Sequence, residues 1–195
     1  MVYLMHWENY TTNKFKIMSS HLVPAVNSND HIQGDNSAPV ELVEYGDYQC
    51  PHCGRAYPII KRVQKKLGTD LKFVFRNFPL SEVHPDAFNA AVAAEAAALQ
   101  GKFWEMHDVI FENQENLSPE DLFSYAERVG LDVSRFKSDI QKESLSGKVE
   151  NDFESGVRSG VNGTPGLFIN GHKYDGSWDE ETLLQQLKSA ANKAH

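Results

Sequence analysis

The two cysteines of this chain stand close together, in Cys50-Pro51-His52-Cys53, where a β-rich run gives way to a helical one. Two cysteines in 195 residues cannot form a disulfide scaffold, and they cannot fill a four-cysteine zinc site. Upstream, Val40 to Tyr45 reads Val-Glu-Leu-Val-Glu-Tyr, a short strand ended by Gly46-Asp47 and suited to the middle of a sheet. Downstream, Ala56, Ile59, Ile60, Val63 and Leu67 form one stripe of a helix that stops at Gly68. Pro51 fits the first helical position, where its missing N–H would be unpaired anyway, so Cys50 becomes the N-cap. Pro58 lies inside the same helix and predicts a kink.

Leu71 to Leu80 alternates Leu71, Phe73 and Phe75 with Lys72, Val74 and Arg76, a strand that Pro79 ends. Strand, helix, strand over this length is a βαβ unit, so the first two strands should be parallel. A helical block follows. Pro85 opens an alanine-rich helix through Leu99, and Phe103 to Glu112 makes a second. Ser118-Pro119-Glu120-Asp121 caps a third that ends at Gly130, Asp132 caps a fourth, and a fifth runs from about Leu145. The tail returns to β structure, with Asn170-Gly171 as a hairpin turn. Ser177 to Glu180 then reads as a capping box for a last helix carrying Leu183, Leu184 and Leu187. The expected organisation is an α/β fold interrupted by helices: an extension over 1–37, a β-α-β segment over 38–80, a helical insertion over 81–160 and a β-β-α segment over 161–195. Asn27 to Ser37 reads as a loop, with His21 to Val26 at most an added edge strand.

Charge and hydropathy exclude several partners. With 27 acidic against 19 basic residues the net charge is −8, which disfavours nucleic acid and anionic membrane. The basic run Lys61 to Lys66 falls on the solvated face of its helix. No stretch is apolar for long enough to insert in a membrane. Met1 to Ser20 lacks the uninterrupted apolar core of a secretory signal, which predicts a cytoplasmic protein. Met18 is an alternative start, and a differently assigned N-terminus would open the periplasm.

Redox chemistry needs what this motif supplies. Two residues between the cysteines let the sulfurs close a disulfide within one helical turn. Unpaired N–H groups and the dipole at the helix start stabilise a thiolate on the first sulfur, and a protonated His52 would add to this. Cys50 is therefore the expected exposed nucleophile and Cys53, one turn inside, the resolving thiol. The same spacing is half of a zinc site, yet no His-x₃₋₅-His pair completes one, and no metal or other cofactor is expected. Two alternatives stand beside the catalytic reading: a non-catalytic binding or regulatory module, and a metal-binding dimer bridged through Cys50 and Cys53.

The motif after an acidic strand, the all-helical insertion and the late segment Gly163-Thr164-Pro165-Gly166-Leu167-Phe168-Ile169-Asn170-Gly171 together resemble the DsbA-like thiol:disulfide oxidoreductases of the thioredoxin superfamily, from about Pro39 to Leu187. The resemblance implies a thioredoxin-like fold with an inserted all-helical domain. It implies that Pro165 is a cis-proline facing the cysteines, with Thr164, preceded by Gly163, lending its backbone to an extended substrate chain. From the residues alone Thr164-Pro165 is only a turn. Glu44 occupies the place of the family's partly buried glutamate, which exchanges protons with the resolving cysteine; read by itself, Glu44 could equally be a strand-edge surface residue, like Glu41. Tyr48, Phe78 and Trp178 line either a substrate groove or the core. The implied partners are extended or unfolded polypeptides with cysteines, and a redox partner such as glutathione or the thioredoxin system. Thr before the proline, where the family's oxidases often carry Val, leaves the direction of electron flow open.

Overall fold

The computed structural model describes residues 20–193. The reading of Met1 to Ser20 as lacking a leader, and Met18 as a start, fall almost wholly outside them. Strands β1 (His31–Gly34), β2 (Val40–Gly46), β3 (Leu71–Asn77), β4 (Gly166–Ile169) and β5 (His172–Tyr174) form one sheet in the order β1-β3-β2-β4-β5. β2 and β3 are parallel, as a βαβ unit requires, and the other three pairings are antiparallel. Helix α1 (Pro51–Leu67) connects β2 to β3 through a 3₁₀ turn at Gly68–Asp70. Five helices lie between β3 and β4: α2 (Ala87–Ala98), α3 (Phe103–Phe111), α4 (Pro119–Arg128), α5 (Val133–Asp139) and α6 (Glu143–Arg158). Helix α7 (Glu180–Asn192) follows β5.

The period-2 pattern of the strands divides two cores. Val40, Leu42, Leu71, Phe73 and Phe75 face one side, where α1 lays down Cys53, Ala56, Ile60, Val63 and Leu67 and α7 adds Leu183 and Leu187. Each fully buried Val or Leu in such a stripe contributes roughly 1.5–3 kcal/mol. The same cluster runs on without a break into α2, α3 and α4, through Ala90, Ala94, Met106, Ile110 and Leu122. The inserted helices thus share the core of the sheet instead of enclosing a separate one. Val43, Tyr45, Val74 and Phe168 face the other side, under Leu22, Phe78 and Val161.

That second side also buries a charge. Arg76 is 1% exposed, and its guanidinium donates to both carboxylate oxygens of Asp30, to the carbonyls of Pro24 and Ala25 and to the Tyr45 hydroxyl. The contacts with Asp30 and Tyr45 hold Arg76 firmly protonated against burial, and they lower the Asp30 carboxyl.

Several local expectations are corrected. The 27–37 stretch is not all loop: His31–Gly34 pairs antiparallel with β3, and its polar sequence reflects an edge position. His21 makes a single bridge to His172 and starts no strand of its own. The alanine-rich helix begins at Ala87, two residues after Pro85. The cap of α7 is Asp179, whose side chain accepts from the Thr182 N–H, while Ser177 donates to that carboxylate. Helix α1 continues through Pro58, whose ring lies on the exposed face. The Asn170-Gly171 turn forms as expected, with φ of 48° and 77°.

Candidate active site

β2 delivers the chain to the start of α1 by a short turn, and that turn is held from every side. The Asp47 carboxylate accepts the N–H groups of Gln49 and Cys50 on one oxygen, and the Leu80 N–H and the His84 ring on the other. Gln49 and Asp86 exchange two further hydrogen bonds. The Tyr48 hydroxyl meets Nδ1 of His107 at 3.0 Å in a buried aromatic nest that includes Phe75 and Phe111. Burial holds the His107 imidazole well below its usual range, so it stays neutral and serves packing and hydrogen bonding. Tyr48 and Phe78 belong to the core, while Trp178 packs partly buried against it.

Cys50 is the N-cap, in extended conformation (φ −73°, ψ 123°), and Pro51 is the first residue of α1. Its sulfur lies 3.6 Å from the Thr164 carbonyl oxygen. The expectation of an exposed nucleophile is corrected, since Cys50 is only 4% exposed. Its thiol is lowered from 9.0 to about 5, chiefly by a hydrogen bond from Cys53, then by the Thr164 side chain and the N–H groups of Cys53 and His52, against the opposing effect of burial. Cys53 is fully buried one turn on, and accepts the Asp47 N–H at 3.5 Å. Burial and its bond to Cys50 push it well above the ordinary range. Two adjacent thiols are therefore driven in opposite directions.

Glu44 is no surface residue. It projects from β2 on the α1 side, 3% exposed, and its Oε1 is buried without a hydrogen-bond partner. Desolvation, with a smaller contribution from the Cys50 charge, raises its carboxyl from 4.5 to about 8. Glu41, by contrast, is half-buried and pairs with Lys72. The Thr164–Pro165 peptide is cis, and Thr164 and Pro165 stand half-buried beside Cys50. Gly163 precedes them, also half-buried. His52 and Pro51 are exposed, and the Arg55 guanidinium donates to Nδ1 of His52 at 2.9 Å.

The structure thus brings Cys50, Cys53, Glu44, Thr164 and Pro165 together, with His52 at the rim. Sequence reasoning missed Asp47, His84, His107 and Gln114, which hold the turn through contacts spanning tens of residues. Among the described residues no group of three or more His, Cys, Asp or Glu side chains converges as a metal site. Nor is any described helix long and apolar enough to cross a membrane.

Residues 26–189 match the family model described as Thioredoxin. Among solved structures, a thioredoxin-like oxidoreductase from Silicibacter pomeroyi DSS-3 superposes with a TM-score of 0.77 at 25% identity, covering 87% of this chain and 95% of that one. α-DsbA1 from Wolbachia pipientis superposes at 0.78, with 22% identity over 90% of this chain and 98% of its own, and shares the fold. Among curated proteins, the Na(+)/H(+) antiporter NhaA 1 of Mycolicibacterium vanbaalenii is 43% identical over 170 residues, 86% of this chain but 28% of the antiporter. The chain spans about a quarter of the length of such relatives. With the family match over most of its length, the chain belongs to the thioredoxin family, and it shares the fold of the DsbA proteins.

Proposed function

We propose that the protein exchanges disulfides with cysteines of extended polypeptides through a mixed disulfide on Cys50, which Cys53 resolves. The observation that carries this reading is the opposed tuning of the pair, with Cys50 lowered to about 5 and Cys53 raised. At pH 7 a thiol of that kind holds roughly a hundred thiolates for each protonated thiol. In the reducing direction the Cys50 thiolate attacks a substrate disulfide, forming the mixed disulfide and expelling one substrate sulfur as thiolate, which takes a proton from water. Cys53 then gives up its proton and attacks the Cys50 sulfur, which releases the second substrate sulfur and leaves a Cys50–Cys53 disulfide. The oxidising direction runs these steps backwards.

Glu44 serves as the proton station for Cys53. Its carboxyl titrates near neutrality, so it takes up or returns a proton at little cost, and its field acts directly on Cys53. The Thr164 backbone, at the edge of the site, aligns the substrate strand, with Pro165 and Gly163 shaping that edge. His52 accepts from the Arg55 guanidinium at the rim of the site, and that guanidinium places positive charge on the solvent side. Glutathione or a thioredoxin system would set the direction, since a stabilised thiolate stabilises the reduced form and makes the disulfide oxidising.

Insulin reduction by the wild type and Cys50→Ser tests the reading. The variant should lose activity at least a hundredfold, and Cys53→Ser should accumulate mixed disulfide. Retained activity in Cys50→Ser would sink the proposal. Alkylation of Cys50 at the rate of an ordinary thiol would return the non-catalytic reading.

A further inference from the structure

One contact with the active-site turn comes from the insertion and has no part in the chemistry described so far. Gln114 lies in the connection between α3 and α4, half-buried. Its Nε2 donates to the Tyr48 carbonyl at 2.7 Å and to the Cys50 carbonyl at 3.0 Å, which uses both N–H bonds of the amide. The Cys50 carbonyl also accepts the Gly54 N–H at 3.0 Å, the first hydrogen bond of α1. Two donors from different parts of the chain therefore fix the N-cap.

Position 54 is where this arrangement would fail if any side chain were present. A Cβ on Gly54 would lie 1.8 Å from Oε1 of Gln114 and 2.7 Å from its Cδ. Glycine inside a helix lowers its stability relative to alanine, so its place here has a steric reason. The atoms it would strike are the far end of a flexible side chain, which can move aside, but only by leaving the two carbonyls.

We propose that Gln114 is a positioning residue for thiol exchange: its amide, admitted by Gly54, holds the Tyr48 and Cys50 carbonyls and thereby keeps Cys50 in the extended N-cap conformation that places its sulfur at the N-terminal end of α1. The proposal rests on the reading of Cys50 as the nucleophile. Without Gln114 the Cys50 carbonyl keeps only the Gly54 N–H and the Tyr48 carbonyl loses its donor, so the turn loosens and the sulfur shifts from its place at the helix start beside Thr164.

The experiment titrates the ultraviolet thiolate absorbance of the reduced protein, and equilibrates it with glutathione, for the wild type, Gln114→Ala, Gly54→Ala and the double variant. Gln114→Ala should raise the midpoint by about one pH unit, a tenfold smaller thiolate ratio at a given pH. It should also make the disulfide about tenfold less oxidising, or roughly 30 mV. Gly54→Ala should shift the same way even though it favours helix formation, and in the Gln114→Ala background it should add nothing. An unmoved midpoint in Gln114→Ala, whatever its thermal stability, overturns the proposal, as does a Gly54→Ala shift that persists without Gln114. If Gln114→Ala does not fold, Gly54→Ala alone decides, because its methyl meets only a movable side-chain end. A wild type with no thiolate below the ordinary thiol range would instead sink the nucleophile reading itself.

Discussion

Glu44 and Arg76 lie on neighbouring strands one register step apart, and point to opposite faces of the same sheet. Both are buried and ionisable, and the protein treats them differently. Arg76 meets a carboxylate, a hydroxyl and two carbonyls, and its charge stays. Glu44 keeps an oxygen with no partner, and its carboxyl moves to about 8. A buried charge with every partner in place is part of the framework; one left without partners exchanges its charge for a proton. The second kind stands beside the thiols, where a mobile proton is useful.

The largest effect should come from breaking the paired side. Arg76→Met leaves the Asp30 carboxylate buried without its partner and should cost about 3–5 kcal/mol in urea unfolding. The Cys50 titration should not move, and a shift there would erase the distinction between the two faces.

The next effect is a pH dependence of the dithiol form. Cys50, lowered from 9.0 to about 5, contributes stability that is present above its unfolded value and lost as pH falls through 5. Glu44, raised from 4.5 to about 8, contributes stability that is present below its unfolded value and lost as pH rises through 8. Between pH 5 and 8 the two slopes oppose each other, so the wild-type curve should be nearly flat. Glu44→Gln should leave stability rising with pH across that window. Cys50→Ser should leave it falling, by at most ~1.4 kcal/mol per pH unit. Urea titrations across the window check both, and parallel curves for the two variants would show that the groups do not act oppositely.

The smallest effect tests whether pairing or location matters more. Asp47 is buried on the thiol side but fully partnered, like Arg76. His84→Ala removes one partner and leaves the three N–H groups, so it should cost about 1 kcal/mol and leave the thiolate titration in place. A moved titration would mean that nearness to the sulfurs outweighs pairing.

What the sequence could show followed from local pattern. The stripe through Ala56, Ile60, Val63 and Leu67, the Cys50 N-cap and the Asn170-Gly171 turn all use neighbours within a few positions, where spacing determines geometry. β1 escaped because an edge strand needs no apolar alternation, and His31–Gly34 takes its conformation from β3, forty residues on. Glu44 could be read either way, since burial depends on what α1 and the thiols place over it. Gln114, His107 and His84 carry no signal of their own: each is an ordinary polar side chain until the insertion brings it to the turn.

The site's two halves, the Cys50–Cys53 turn and the Thr164–Pro165 edge, are separated in the chain by all five inserted helices. A ribosome adding 5–20 residues per second needs roughly 5–20 seconds to deliver the second half after the first. During that interval the nascent chain carries both thiols without the segment that later confronts them and without the helices that hold their turn. The order of elements thus sets an order in time: the cysteines are made before the surroundings that tune them.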